Sequence, residues 1–157
     1  MKIDISSIVR INGASLDIEM IEVLPELSSV IDGFSFEKPV NFAGKLVNEK
    51  GMIHLTGGLK VNYVTQCYSC LEDLDSSLDI KIRENFVEVL KNMDIENYTF
   101  EGTFINIDKA LIDNIFLNLP MKQICMNECR GLCSKCGINL NTKKCQCRFN
   151  ESETKLN

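Results

Sequence analysis

The chain has 157 residues, 45% of them hydrophobic and 25% charged, with a formal net charge of −5. That is the composition of a soluble globular protein with room for one ordinary domain and too little for two. The opening MKIDISSIVRINGASLDIE has no uninterrupted apolar run, and nothing approaches the roughly 18 apolar residues of a membrane-spanning helix, so neither a signal peptide nor a membrane association is expected.

The first 35 residues are weakly patterned. Ile3 and Ile5, then Leu16, Ile18 and Met20, alternate as strands do, and Leu24-Pro25-Glu26-Leu27 breaks the alternation; two short strands are predicted. Val40, Phe42 and Leu46 then share one face, with Gly44 between them and Asn41 and Lys45 opposite. Asn48-Glu49-Lys50-Gly51 supplies a turn. From Met52 to Gln66 the apolar residues Ile53, Leu55, Leu59, Val61 and Tyr63 keep odd numbering straight through Gly57-Gly58. An unbroken period of two predicts one long strand, bent at the glycines. After Cys70, Leu74, Leu78, Ile80, Ile82 and Phe86 keep even numbering in the same way. The two strands form an antiparallel hairpin with Cys67-Tyr68-Ser69-Cys70 at its turn.

Residues 98–104 predict a further strand. A helix is predicted from Asp108, as its N-cap, to Leu119, with Leu111, Ile112, Ile115, Phe116 and Leu119 as a core-facing stripe and Pro120 as its stop. The last ten residues, RFNESETKLN, are polar and predicted to be disordered. The expected fold is α+β: an antiparallel, curled β-sheet with one packed helix and a C-terminal cysteine-rich zinc-binding segment. One domain is expected over residues 1–147, including the zinc-binding segment 121–147, followed by a tail at 148–157.

Six of the eight cysteines fall between Cys125 and Cys147, in CMNECRGLCSKCGINLNTKKCQC, and the other two are Cys67 and Cys70. Thiols stay reduced in the cytoplasm, the compartment expected here, so the cluster points to metal and not to disulfides. Zinc takes four tetrahedral thiolate or imidazole ligands, and two cysteines in a tight turn supply half of such a site. Cys133-Ser134-Lys135-Cys136-Gly137 is one half, with Gly137 letting the backbone turn back so that amides point at sulfur. Cys145 and Cys147 supply the other half, with Ile138-Asn139-Leu140-Asn141 as a short loop over the metal. Cys67, Cys70, Cys125 and Cys129 form a second set, which would staple the C-terminal segment to the hairpin. The rival arrangement is a single zinc held by Cys67, Cys70 and two of the later cysteines, with the others free.

No catalytic constellation accompanies the cysteines. A thioredoxin-like role needs the first cysteine at a helix N-terminus, whereas LEDLDSSLDIKI after Cys70 is strand-like. The only histidine, His54, sits mid-strand opposite Ile53 and Leu55, and all-thiolate zinc sites are closed to substrate. There is no phosphate-binding glycine loop and no nucleophile elbow, so neither an enzyme nor a small-molecule substrate is expected. Charge is uneven. From Met121 to Asn157 seven basic residues (Lys122, Arg130, Lys135, Lys143, Lys144, Arg148 and Lys155) outnumber three acids, leaving a net −9 in the first 120 residues. A polyanion would have to dock at the cysteine-rich end, on Arg130, Lys135, Lys143, Lys144 and Arg148.

The first C-x2-C pair with Leu71 directly after it, a helix closing in LNLP, and CRGLCSKCGINLN together resemble the YceD family of large ribosomal RNA subunit accumulation proteins, over about Val40 to Cys147. The resemblance implies an α+β protein without established catalysis that acts in large-subunit ribosomal RNA accumulation in bacteria and plastids. It implies a shared site at Cys67, Cys70, Cys125 and Cys129, with histidine at the latter pair in some members. The later four cysteines are absent from part of the family. Family helices also tend to carry an acid where this protein has Asn114. The expected partner is precursor large-subunit ribosomal RNA, or a ribosome-assembly protein met through the acidic sheet face. The rivals are a zinc-ribbon interaction or transcription-associated module, and a thiol redox or metal-buffering protein.

Overall fold

The structure is a computed structural model and describes residues 2–30, 32–89 and 97–147. The tail at 148–157, with Arg148 and Lys155, lies outside the described residues. Two compact units are present: unit 1 is Met1–Val64 with Asp75–Pro120, and unit 2 is Thr65–Leu74 with Met121–Asn157.

Where the sequence alternates, strands form: β1 (Lys2–Asp4), β2 (Ser15–Glu22), β3 (Phe34–Ser35), β4 (Val40–Glu49), β5 (Met52–Gln66), β6 (Asp73–Glu88), β7 (Tyr98–Phe100) and β8 (Phe104–Asn106). The predicted period-two runs become β5, unbroken through Gly57-Gly58 over 15 residues, and the 16-residue β6. Phe42, Leu46, Ile53, Leu55, Leu59, Val61, Ile80, Ile82 and Phe86 are buried, as the alternation requires. The main sheet runs β2-β4-β5-β6-β7, with β3 paired to β5. β2–β4 and β4–β5 are antiparallel. The link between β5 and β6 is too short for the crossover a parallel pair needs. Two features depart from an all-antiparallel sheet. β7 pairs parallel with β6, and β8 leaves that sheet to pair with β1. The strand predicted at 98–104 is therefore split in two.

Among the described residues there are two helices where one was expected. The break at Leu24-Pro25 is not a loop: Pro25 opens α1 (Pro25–Val30), a helical position where its missing N–H is no loss. In α2 (Asp108–Asn118) the N-cap is Ile107 and Asp108 is the first helical residue. Asn106 Oδ1 accepts the Asp108 backbone N–H at 3.0 Å, the service Asp108 was expected to perform. Ala110, Leu111 and Ile115 are buried, whereas Phe116 is 56% exposed. At 100° per residue Phe116 sits about 140° around the helix from Leu111, outside the covered arc. No described helix is long and apolar enough to cross a membrane.

Two local constraints hold unit 1 in register. Gly44 faces Gly57 across β4–β5, and a Cβ on Gly57 would stand 2.7 Å from the Gly44 Cα and 2.8 Å from the Phe42 ring. The ring lies over the glycine pair, so side chains are excluded there by packing. At the other end of β4, Asn48 is buried; its amide donates to Ile8 O at 2.7 Å and Val9 O at 2.8 Å, and its Oδ1 accepts from Gly51 N at 2.9 Å. This one side chain ties the loop after β1 to the β4–β5 turn. Asn48→Ala leaves buried carbonyls without donors and is expected to destabilise the protein by about 2–4 kcal/mol. Chemical unfolding of unit 1, followed by far-UV circular dichroism, measures it; a midpoint equal to the parent's would contradict the assignment.

Candidate metal centres

Unit 2 begins at the hairpin turn. The Cys67 backbone N–H donates to Glu72 O at 2.8 Å, and the Leu71 N–H returns to Cys67 O at 2.9 Å, closing a loop around both cysteines. The later C-x2-C repeats this design, with Gly137 N donating to Cys133 O at 2.8 Å. The residue after the second cysteine is left-handed in both turns, Leu71 at φ 59° and Gly137 at φ 70°. Gly137 was expected to serve this purpose. Leu71 does the same work with a side chain that disfavours it.

The eight cysteines gather into two sets of four. Cys67, Cys70, Cys125 and Cys129 form one, Cys133, Cys136, Cys145 and Cys147 the other, with all four sulfurs in each within 4.8 Å of one another. Each set can hold a metal ion. Cys67 and Cys129 sulfurs are 3.8 Å apart, those of Cys70 and Cys125 3.6 Å. In the second set Cys145 Sγ lies 3.3 Å from Cys133 Sγ and 3.5 Å from Cys136 Sγ. All eight are free thiols. Cys67, Cys70 and Cys133 are buried, while Cys136 is exposed.

Backbone amides aim at the sulfurs. Cys125 N donates to Cys67 Sγ at 3.4 Å, and Cys147 N to Cys145 Sγ at 3.2 Å. Burial pushes the Cys67 thiol up, but the N–H groups of Cys125, Cys70 and Ser69 outweigh it and bring it down to about 6. The N–H groups of Cys136 and Lys135 bring Cys133 to about 6 as well. Cys129 is held below the ordinary thiol range chiefly by the Asn141 amide, 3.3 Å from its sulfur. Their neighbours go the other way. Burial, then the adjacent sulfurs, push Cys125 up to about 12. At Cys145 the Cys147 N–H pulls down, but the sulfurs of Cys133 and Cys147 outweigh it and the thiol rises to about 12. Four thiolates at this spacing repel one another, and a cation is what lets all four ionise.

Of the basic residues singled out by sequence, Arg130, Lys135, Lys143 and Lys144 are exposed in unit 2; Arg148 lies outside the described residues. Lys122, not among them, places its ammonium 4.5 Å from the Tyr68 ring centroid. Sequence reasoning missed Asn139, Asn141 and Glu72, which hydrogen-bond across unit 2: Asn139 Nδ2 donates to Glu72 Oε1 at 2.8 Å. Their only sequence signal was a pair of asparagines in a loop already assigned to the metal.

A family model described as large ribosomal RNA subunit accumulation protein YceD matches residues 55–157. The chain belongs to the YceD family. An uncharacterised protein of Mycobacterium leprae is 22% identical over 146 residues, covering 87% of this chain and 66% of that protein. The chloroplastic large ribosomal RNA subunit accumulation protein YCED homolog 1 of Arabidopsis thaliana is 41% identical over 49 residues, 31% of this chain and 15% of the relative. The Zea mays protein of the same name is 32% identical over 81 residues, 51% of this chain and 24% of the relative. The chain thus spans less than two thirds of the length of these relatives. No solved structure matches it. Asn114, the position at which the resemblance implied an acid, donates to Glu84 Oε1 at 2.6 Å and to Ala110 O at 2.9 Å, a local helix-to-strand contact inside unit 1.

Close approach also constrains unit 2. Gly131 has φ +67°, and a Cβ there would meet Ser69 O at 2.9 Å. Gly131→Val is expected to destabilise unit 2 by about 1–3 kcal/mol. Hydrogen exchange should rise at residues 65–74 and 125–140 and stay unchanged over β4; equal loss in both places would refute the local account.

Proposed function

We propose that this protein is a non-enzymatic factor supporting accumulation or maturation of large-subunit ribosomal RNA, its unit 2 held together by two structural zinc ions. Family membership supports the ribosomal part. The sulfur geometry is the observation that carries the zinc. Thiolates about 2.3 Å from a tetrahedral ion stand about 3.8 Å apart, the separation seen between Cys67 and Cys129, with Cys70–Cys125 at 3.6 Å, Cys136–Cys145 at 3.5 Å and Cys133–Cys145 shorter at 3.3 Å. Four thiolates and no open position make a closed, structural donor set, which supports a non-catalytic reading. The cytoplasm suits it, since such sets persist where thiols stay reduced. Metal analysis of protein purified without added zinc is expected to give about two equivalents per molecule. Removing the metal should expose residues 65–74 and 121–147 to proteolysis while the β4–β5 sheet persists. One equivalent, with four freely reactive thiols, would return the single-zinc arrangement.

Direct RNA contact belongs on unit 2. Each tetrathiolate zinc site carries −2, so loading takes the formal charge from −5 to about −9. RNA is then repelled from most of the surface, and Arg130, Lys135, Lys143, Lys144 and Arg148 are the groups left to meet phosphates. Replacing Lys143, Lys144 and Arg148 together by Ala is expected to weaken co-sedimentation with large-subunit precursors without changing zinc content. One observation favours a second reading, an assembly protein as the partner: Tyr68, Leu71, Met121, Ile124 and Met126 are all more than half exposed in unit 2. Undiminished co-sedimentation of the triple variant would select it.

A further inference from the structure

The sequence reading makes the second cysteine set a local module, with every ligand within 15 residues. The hydrogen bonds of unit 2 say otherwise. The segment between Cys136 and Cys145 is a strap bonded on two sides. Toward its own half-site, Cys133 N donates to Ile138 O at 2.8 Å and Leu140 N to Gly131 O at 2.9 Å. Toward the first set, Asn139 reaches Glu72 Oε1 at 2.8 Å, next to the Cys67–Cys70 turn; outside the strap, just ahead of Cys133, Leu132 N donates to Ser69 O at 3.0 Å inside that same turn.

The most direct link is Asn141. Its Oδ1 accepts the Arg130 N–H at 2.8 Å, which fixes the amide so that Nδ2 faces Cys129 Sγ at 3.3 Å. Its own backbone N–H is held by Asn139 Oδ1 at 2.9 Å. A side chain from the second set's loop therefore donates to a thiolate of the first. Such donors orient a ligand and relieve its charge, and their loss costs metal affinity. Because the strap is anchored at both ends by cysteines of the second set, metal there fixes the strap, and the strap fixes Asn141 against Cys129.

We infer that the two cysteine sets load metal cooperatively, with Asn141 as the positioning residue that carries the coupling to Cys129. This rests on the reading that both sets bind zinc. Coupling between sites is reciprocal: whatever factor the second site contributes to the first, the first contributes to the second. The second site, with Cys136 exposed, is then no optional appendage but the device that tightens the buried site.

The test is titration of the full-length protein with cobalt(II), read by thiolate-to-cobalt charge transfer, alongside zinc competition with a chromophoric chelator. The parent should load both sites together. Asn141→Ala keeps all eight thiols, yet first-site affinity should fall about 10–100-fold. Its charge-transfer band should move to longer wavelength, because Cys129 loses a donor and becomes more electron-rich, a signature that mere loosening would not give. Cys136→Ser with Cys145→Ser should weaken the first site, and Cys70→Ser with Cys125→Ser should weaken the second by the same factor. Two ions loading independently in the parent would overturn the coupling and leave the zinc reading intact. A parent that binds no metal overturns both. Coupling that survives Asn141→Ala overturns the assignment to Asn141.

Discussion

Among its described residues unit 2 buries almost nothing apolar besides cysteine, and its organisation follows from that. Its buried side chains among the described residues are Thr65, Cys67, Cys70 and Cys133, while Tyr68, Leu71, Met121, Ile124 and Met126 face solvent. Unit 1 has the opposite character, a single apolar cluster running from Ile5 and Ile8 through the sheet strands to Ile115. A segment of this size without an apolar core needs cross-links to offset its conformational entropy. Sulfur–sulfur distances of 3.3–3.8 Å are far from the roughly 2.05 Å of a disulfide and suit a shared metal. In the proposed two-zinc form, thiolate–metal bonding takes the place of hydrophobic burial there.

The two C-x2-C turns show how far the backbone has been shaped to that end. Both close with an N–H returning to the first cysteine's carbonyl, and both put a left-handed residue after the second cysteine. In one that residue is Gly137, which adopts the conformation freely. In the other it is Leu71, at a cost of roughly 1–2 kcal/mol. The same backbone path despite a less suitable residue indicates that ligand placement, and not local preference, sets the turn.

What was legible in the sequence was what has a period or a spacing. The parity of Ile53 to Tyr63 and of Leu74 to Phe86 specified β5 and β6, because a period of two has one structural meaning when one face is buried. The division of eight cysteines into two sets of four was legible because turn-bound pairs are short-range objects. What failed depended on tertiary context. Phe116 belongs to the apolar pattern of α2 but lies beyond the arc its unit covers. The parallel β6–β7 pair is a tertiary pairing that no local pattern encodes. Asn48, Asn139 and Asn141 read as turn and loop polar residues, and their partners stand 39 or 40, 67 and 12 positions away.

Charge sets a final condition on unit 2. Sulfurs at these separations cannot all ionise unaided, and the split within each set, with Cys67 and Cys133 drawn down and Cys125 and Cys145 driven up, shows how few thiolates the amides alone support. The backbone amides that aim at sulfur come from the cysteine turns themselves, from Cys70, Cys125, Cys136 and Cys147 and equally from Ser69, Glu72, Gly131 and Lys135. Asn141 differs from all of these in donating through its side chain, from the loop of one cysteine set to a sulfur of the other. A network of this kind is rigid only when every member is satisfied. The same reasoning distinguishes the two units: acids predominate in unit 1, whereas unit 2 presents exposed lysines and an arginine beside exposed apolar side chains, around two thiol clusters that amides alone do not neutralise.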